Sequence, residues 1–478
     1  MQFLRPIQLT AEQLVIANFP PLGIRVIKGA AGSGKTTVAI FRMITVAKTI
    51  RADKIRQNDQ SPVVCRLLTY NRTLKSYVEA LIQAERLKLG SNSGIVIEVS
   101  TFDKWASDVC NPEELIYLKE DSKAGREIIS LATKYGISNY DNDFIISEVA
   151  YILGLLPHDA LDSYLEIERT GRGASPKIPS AVRQQFINVV NDYQKWKLKN
   201  DLTDGDDLSV MMKNHSAPTE HDLIVVDESQ DLSANKMRAI MNFLKPNLES
   251  LTIIFDSAQR IYKHGYTWRE VGINISGGDR SVSLTRNYRN TFEIAAYVNS
   301  VLSQADIGAD GTVPDPSKCE KSAVLPVVLK GRFPQQVTYA VNDIKNNINL
   351  KTETVAFLHP KGWFKSKGGL VNQLTLAGIN HTILTSVSDW PDGDENVALL
   401  TMSSAKGLEF DHVFILGLDQ DTTSCVDGID DDTRNFYIRL FAVACSRARK
   451  TLTIGAINEN PSFLLNIADN STYKEIAV

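Results

Sequence analysis

The chain has 478 residues, 43% of them hydrophobic and 23% charged, and its 52 basic and 56 acidic side chains leave a net charge of −4. That length predicts roughly two to four domains, and the near-balanced charge excludes a global basic field, so any nucleic acid must be held in a local groove. No long uncharged apolar run is available to span a membrane. The first six residues lack a signal-peptide core, and single cysteines at 65, 110, 319, 425 and 445 suit a reducing cytoplasm better than a disulfide framework or a zinc cluster.

From the N-terminus, Thr10-Ala11-Glu12-Gln13 has the pattern of a helix capping box. A short apolar run at 24–27 and a helix-like run at 36–47 flank Gly29-Ala30-Ala31-Gly32-Ser33-Gly34-Lys35-Thr36, which fits the phosphate-loop pattern G-x-x-x-x-G-K-[ST]. Its glycines let backbone N–H groups turn inward around a triphosphate. Lys35 would reach the β- and γ-phosphates, the Thr36 hydroxyl would ligate Mg²⁺, and the helix N-terminus would face the anion. Residues 50–61 are polar and are expected to form a surface loop. Strand-like runs follow at 63–69 and 95–99. From about 107 to 221 helical periodicity dominates, with a Gly/Pro-rich break at 171–179, which predicts a mostly helical insertion. Leu223-Ile224-Val225-Val226-Asp227-Glu228 then reads as a buried parallel strand running into two carboxylates. Asp227 would hold Mg²⁺, and Glu228 would polarise the water that attacks a γ-phosphate. Strand-like runs at 251–255, 324–329, 354–358, 397–402, 412–416 and 451–454 alternate with helical stretches. The expected fold class is therefore α/β, with two parallel sheets covered by helices. Residues 306–322 read as a second polar surface loop.

Further segments accompany the phosphate loop and the carboxylate strand. In chain order they are Leu9-Thr10-Ala11-Glu12-Gln13, Leu68-Thr69-Tyr70-Asn71-Arg72-Thr73-Leu74, Ser100-Thr101-Phe102-Asp103-Lys104-Trp105, Phe255-Asp256-Ser257-Ala258-Gln259-Arg260-Ile261-Tyr262 and Leu284-Thr285-Arg286-Asn287-Tyr288-Arg289-Asn290-Thr291. Near the C-terminus come Thr401-Met402-Ser403-Ser404-Ala405-Lys406-Gly407-Leu408-Glu409-Phe410 and Arg439-Leu440-Phe441-Ala442-Val443-Ala444-Cys445-Ser446-Arg447-Ala448. In this order they resemble the UvrD/Rep-type superfamily 1 DNA helicases, from residue 9 to about 454. The resemblance implies two RecA-like domains. Residues 1–106 and 221–284 would form the first (1A), 107–220 a helical 1B-type insertion, and 285–478 the second (2A). Arg289 and Thr401 are 112 positions apart (401 − 289), too few for a second RecA-like half plus a large accessory domain. The 2B-type domain is therefore expected to be absent or much reduced.

The resemblance also assigns roles. Gln13 would hydrogen-bond adenine, Tyr288 would stack near it, and Thr37 stands where the family often has an arginine near the base. Glu409 would contact the ribose, and Arg289 and Arg447 would reach the γ-phosphate, so the expected ligands are ATP and Mg²⁺. Gln259 would sense the γ-phosphate and its water. Tyr70, Asn71, Thr101, Tyr262, His264, Trp268 and Thr401 would line a path for single-stranded DNA, with RNA as the alternative. His264 and Ser403 depart from the family's usual Trp and His, and Trp268 reads equally well as a core aromatic. The implied function is ATP-driven movement along a strand, with or without unwinding. A nucleic-acid-sensing ATPase that switches a partner protein is the alternative. The short chain also resembles helicase-like subunits of bacterial anti-phage systems of Gabija type, whose nuclease would be a separate chain.

Overall fold

The apolar run before the phosphate loop forms β1 (Ile24–Gly29), a strand of a six-stranded parallel sheet. The others are β2 (Val63–Thr69), β3 (Ile95–Thr101), β4 (Leu223–Val226), β5 (Leu251–Phe255) and β6 (Ser281–Leu284), in the order β3-β2-β4-β5-β1-β6. Every residue of β4 and β5 is buried, as parallel strands covered on both faces require. The structure, a computed structural model, describes residues 9–19, 22–29, 32–69, 93–167, 178–216, 219–246, 250–255, 266–274, 280–284, 286–305, 315–361, 369–385, 395–420 and 431–478, with single positions at 75, 78, 79, 82, 83, 388 and 393.

A second parallel sheet contains β7 (Val327–Lys330), β8 (Val355–His359), β9 (Thr382–Ile383), β10 (Val397–Thr401), β11 (Phe410–Leu418), β12 (Ala448–Ala456) and β13 (Lys474–Ala477). Their order is β9-β10-β8-β11-β12-β7-β13. All nine residues of β11 are buried, and Phe357 stacks on Phe414 with ring centroids 5.1 Å apart. The two sheets, each with helices packed on it, are two RecA-like α/β units.

Between β3 and β4 the chain is mostly helical, with helices Phe102–Cys110, Lys123–Lys134, Asn142–Leu155, Ser180–Lys199 and Gly205–Lys213. Their apolar faces share one core with Val26, Leu68, Ile224, Val226, Leu251 and Ile253 of the first sheet. The helix Lys35–Arg56 packs on the sheet's other face. Each sheet thus buries both faces, and the ends of its strands are left to carry chemistry.

Three expectations are corrected. Residues 50–56 are the last turns of the helix Lys35–Arg56, not a surface loop. Ile50 is buried there, and Lys54 Nζ donates to Pro62 O at 2.8 Å and lies 3.1 Å from an Asp222 carboxylate oxygen, which makes burial of a lysine tolerable. The run at 324–329 becomes a strand only from Val327, because Val324 and Leu325 are exposed and Ala323 takes a left-handed φ of 60°. Strands β6, β9 and β13 were not expected. Residues 168–177 and 306–314 lie outside the described residues.

Truncating Phe357 removes a fully buried ring from the middle of the second sheet's core. Phe357→Ala is expected to lower stability by about 3–5 kcal/mol. Equilibrium denaturation checks this, with Phe357→Leu losing clearly less.

Candidate nucleotide site

The phosphate loop leaves β1 at Gly29 and enters its helix at Lys35. Gly32 and Gly34 have positive φ, 79° and 76°. A Cβ at Gly32 would stand 2.1 Å from Asn287 Oδ1, and one at Gly34 would stand 2.3 Å from Gln13 Nε2, so glycine is demanded here by conformation and by space. Lys35 is buried, and its Nζ donates to Gly29 O at 2.9 Å. Thr36 Oγ1 donates to Asp227 Oδ2 at 2.7 Å, bringing a hydroxyl and a carboxylate together from two elements. These are the hard oxygen donors that Mg²⁺ takes.

Asp227 and Glu228 follow the buried end of β4. Glu228 adopts a left-handed φ of 53°, a conformation that a β-substituted residue holds only where its surroundings fix it. Burial and the neighbouring Glu228 charge push the Asp227 carboxyl up, against the opposing Thr36 hydroxyl and Lys35. Burial also disfavours charge on Glu228, yet Lys406, Lys35, Arg447 and the Gln230 amide together hold its carboxyl below the usual range. Two adjacent acids are driven apart by their surroundings, so Glu228 stays ionised.

The positive charge comes largely from the other unit. Lys406, in the turn after β10, is fully buried. It pairs with Asp231, and its Nζ lies 3.6 Å from Glu228 Oε2. Arg289 Nη2 donates to Glu409 Oε1 at 2.7 Å. Arg447 is also buried, its Nε donating to Val443 O at 2.9 Å and its Nη2 to Ser446 Oγ at 3.1 Å. Asn290 Nδ2 donates to Ser446 O at 3.0 Å and to Ala448 O at 2.6 Å, tying the linker after β6 to the start of β12. The resulting cleft has Gly32, Gly34, Lys35, Thr36, Thr37 and Glu228 on one side and Arg289, Gly407, Glu409 and Arg447 on the other.

The remaining expected residues divide. Gln13 completes the Thr10 capping box, and its amide Nε2 also donates to Ser33 O at 2.9 Å, which sets it against the phosphate loop. Tyr288 N donates to Gly32 O at 2.9 Å. Thr101 caps the helix Phe102–Cys110, and the Thr401 hydroxyl bonds Ser404 Oγ at 2.8 Å. Trp268 is partly buried and packs edge-on against Phe255 and Tyr266 at the margin of the first core. Ala30, Ala31, Tyr70, Asn71, Gln259, Tyr262 and His264 lie outside the described residues. Lys406, Asp231, Asn287 and Asn290 were not singled out from sequence, although each lies inside or beside a recognised segment.

Residues 15–264, just over half of the chain, match the AAA domain family, and residues 360–459 match the UvrD-like helicase C-terminal domain. The chain belongs to the UvrD/Rep-type superfamily 1 helicases. A "Probable DNA helicase II homolog" of Mycoplasma capricolum subsp. capricolum is 26% identical over 304 residues, which are 58% of this chain and 38% of that protein. A "Probable DNA helicase" of Mycoplasma pneumoniae is 24% identical over 472 residues, covering 91% of this chain and 81% of the relative. The chain thus spans well under half of the first relative and most of the second. Among solved structures, the C-terminal domain of a possible DNA helicase from Lactobacillus plantarum covers 39% of this chain and 98% of its own, at 21% identity and a TM-score of 0.29.

Removing the buried ammonium between the units takes away the cation paired with Asp231 and one of the three cations that act on Glu228. Lys406→Met is expected to cost about 3–5 kcal/mol of stability, with part of it regained in Lys406→Met/Asp231→Leu, where an apolar pair replaces the ion pair. Thermal denaturation of the three proteins checks both statements.

Proposed function

We propose that the chain is an ATP-dependent motor on single-stranded DNA that hydrolyses ATP between its two RecA-like units. The observation that carries this reading is the cleft, where phosphate-loop groups and Glu228 face Arg289, Glu409 and Arg447. In it, Lys35 neutralises the β- and γ-phosphates, Glu228 orients the attacking water and accepts its proton, and Arg289 and Arg447 balance charge on the transferring phosphoryl group. Mg²⁺ would be held by Thr36 and Asp227 and would supply charge neutralisation at the phosphates. Gln13 and Tyr288 would bind the base, with Thr37 beside it. Gln259 would couple the nucleotide to the strand. The relatives' names, probable DNA helicases, support DNA as the track, and Tyr70, Asn71, Thr101, Tyr262, His264, Trp268 and Thr401 would line it. Residues 1–106 and 221–284 form the 1A unit in this reading, 107–220 the insertion and 285–478 the 2A unit.

Measuring ATPase rate with and without single-stranded DNA, then strand displacement on 3′- and 5′-tailed duplexes, tests the reading. Stimulation with displacement supports a helicase. Stimulation without displacement supports a translocase, or an ATPase that switches a partner such as a nuclease. A rate indifferent to DNA would defeat both.

Two sets of variants test the chemistry. Lys35→Ala should abolish turnover and weaken nucleotide binding, whereas Glu228→Gln should abolish turnover with binding largely kept. Wild-type hydrolysis by Glu228→Gln would transfer the water-activating role elsewhere. Arg289→Ala and Arg447→Ala should each lower kcat by about two or more orders of magnitude with smaller effects on affinity, as charge contacts made mainly in the transition state do. Steady-state kinetics and calorimetry separate the two effects.

A further inference from the structure

The helix Ala11–Ala17 is held at both ends by different parts of the molecule. At its C-terminal end, Arg42 is fully buried and donates to Phe19 O at 3.0 Å, and its Nε donates to Thr252 Oγ1 of β5 at 2.9 Å. That end is fixed to the first sheet. At the N-terminal end, Glu12 Oε2 accepts the Tyr288 hydroxyl at 2.9 Å. Tyr288 belongs to the linker between the units. It is one residue before Arg289, which reaches Glu409, and two before Asn290, which reaches Ser446 and Ala448.

A tyrosine ring held only through its own backbone is free to turn about two side-chain torsions. Here both ends are fixed: the backbone N–H by Gly32 O, and the hydroxyl by a charge-assisted bond to a carboxylate. The Arg286 guanidinium stands 5.8 Å from the ring centroid, a cation close enough to interact with the ring. The residue after Glu12 is Gln13, whose amide bonds the phosphate-loop backbone at Ser33. Glu12 and Gln13 therefore fix the linker tyrosine and the phosphate loop from adjacent positions on one helix.

We propose that Glu12 is a positioning residue for nucleobase recognition, its carboxylate holding the Tyr288 ring in the orientation that takes a purine. This rests on the reading of the cleft as an ATP site. The pair spans the first unit and the linker, so the ring's orientation follows the linker as the units move. Base recognition is thereby tied to the arrangement of the two units, not to the first unit alone.

The test compares ATP hydrolysis by wild type, Glu12→Ala, Glu12→Gln, Tyr288→Phe and the Glu12→Ala/Tyr288→Phe double variant, with melting temperatures recorded alongside. Glu12→Ala and Tyr288→Phe are each expected to raise KM for ATP about fivefold, with the melting temperature of Glu12→Ala close to that of wild type. The double variant should be no worse than either single variant, because both lose the same bond. Glu12→Gln retains an acceptor oxygen and should restore most of the affinity. A wild-type KM in Glu12→Ala, or additive effects in the double variant, overturns the proposal. If Glu12→Ala melts early, the Tyr288→Phe result and the cycle decide. A wild-type protein without saturable ATP turnover instead sinks the nucleotide reading itself, an outcome visible before any variant is compared.

Discussion

Two adjacent carboxylates at the buried end of a parallel strand are tolerable only if positive charge is delivered to them, and much of the molecule's arrangement follows from that demand. The first sheet unit supplies Lys35 beside Asp227 and Glu228, but Asp231, three residues on, is also buried. Lys406 of the second unit meets Asp231 and Glu228, and Arg447 of the same unit adds its charge. Docking of the units is thus written into the electrostatics of the carboxylate turn. Asn290 adds neutral bonds that fix the linker against β12, and the cleft is complete only with both units in place.

The two arginines of the cleft are held differently. Arg289 is paired directly with a carboxylate, Glu409, whereas the hydrogen bonds of Arg447 go to the carbonyls of Val443 and Leu408 and to the Ser446 hydroxyl, and it reaches Glu228 and Glu409 through charge alone. A phosphate outcompetes carbonyl acceptors for a guanidinium, because charge-assisted bonds are roughly twice as strong as neutral ones. A phosphate bound as proposed above would draw Arg447 from neutral acceptors, while Arg289 would exchange one anion for another.

What was legible in the sequence follows from where the information lies. The phosphate loop, β4 and its carboxylates could be read because local spacing and an uninterrupted apolar run dictate them. The strands β6, β9 and β13 could not, and all three lie at sheet edges, where a short strand needs few apolar residues. The helix Lys35–Arg56 outran its apolar pattern because Lys54 finds Asp222, 168 residues away, a partner no window contains. Lys406 and Asp231 escaped for the same reason. As isolated residues they read as surface charges, and only tertiary docking buries them together. At Thr101 and Thr401, which close β3 and β10, each hydroxyl is engaged by the turn that follows it. Hydroxyls at strand ends are well suited to such local capping.

The strand order has a consequence for coupling. In the first sheet, β1 and β4 deliver the phosphate loop and the carboxylates, while β2 and β3 end in the segments expected to meet a nucleic acid. β2 lies directly beside β4, with Leu68 in register with Val226, and Asp227 N donates to Leu68 O at 2.9 Å. The backbone leading to Tyr70 and the backbone carrying the Asp227 carboxylate are therefore hydrogen-bonded neighbours. A displacement at the end of β2 reaches Asp227 through one backbone bond and needs no relay of side chains across the sheet. For the motor proposed above, the β2–β4 pair offers a direct backbone route between strand and nucleotide.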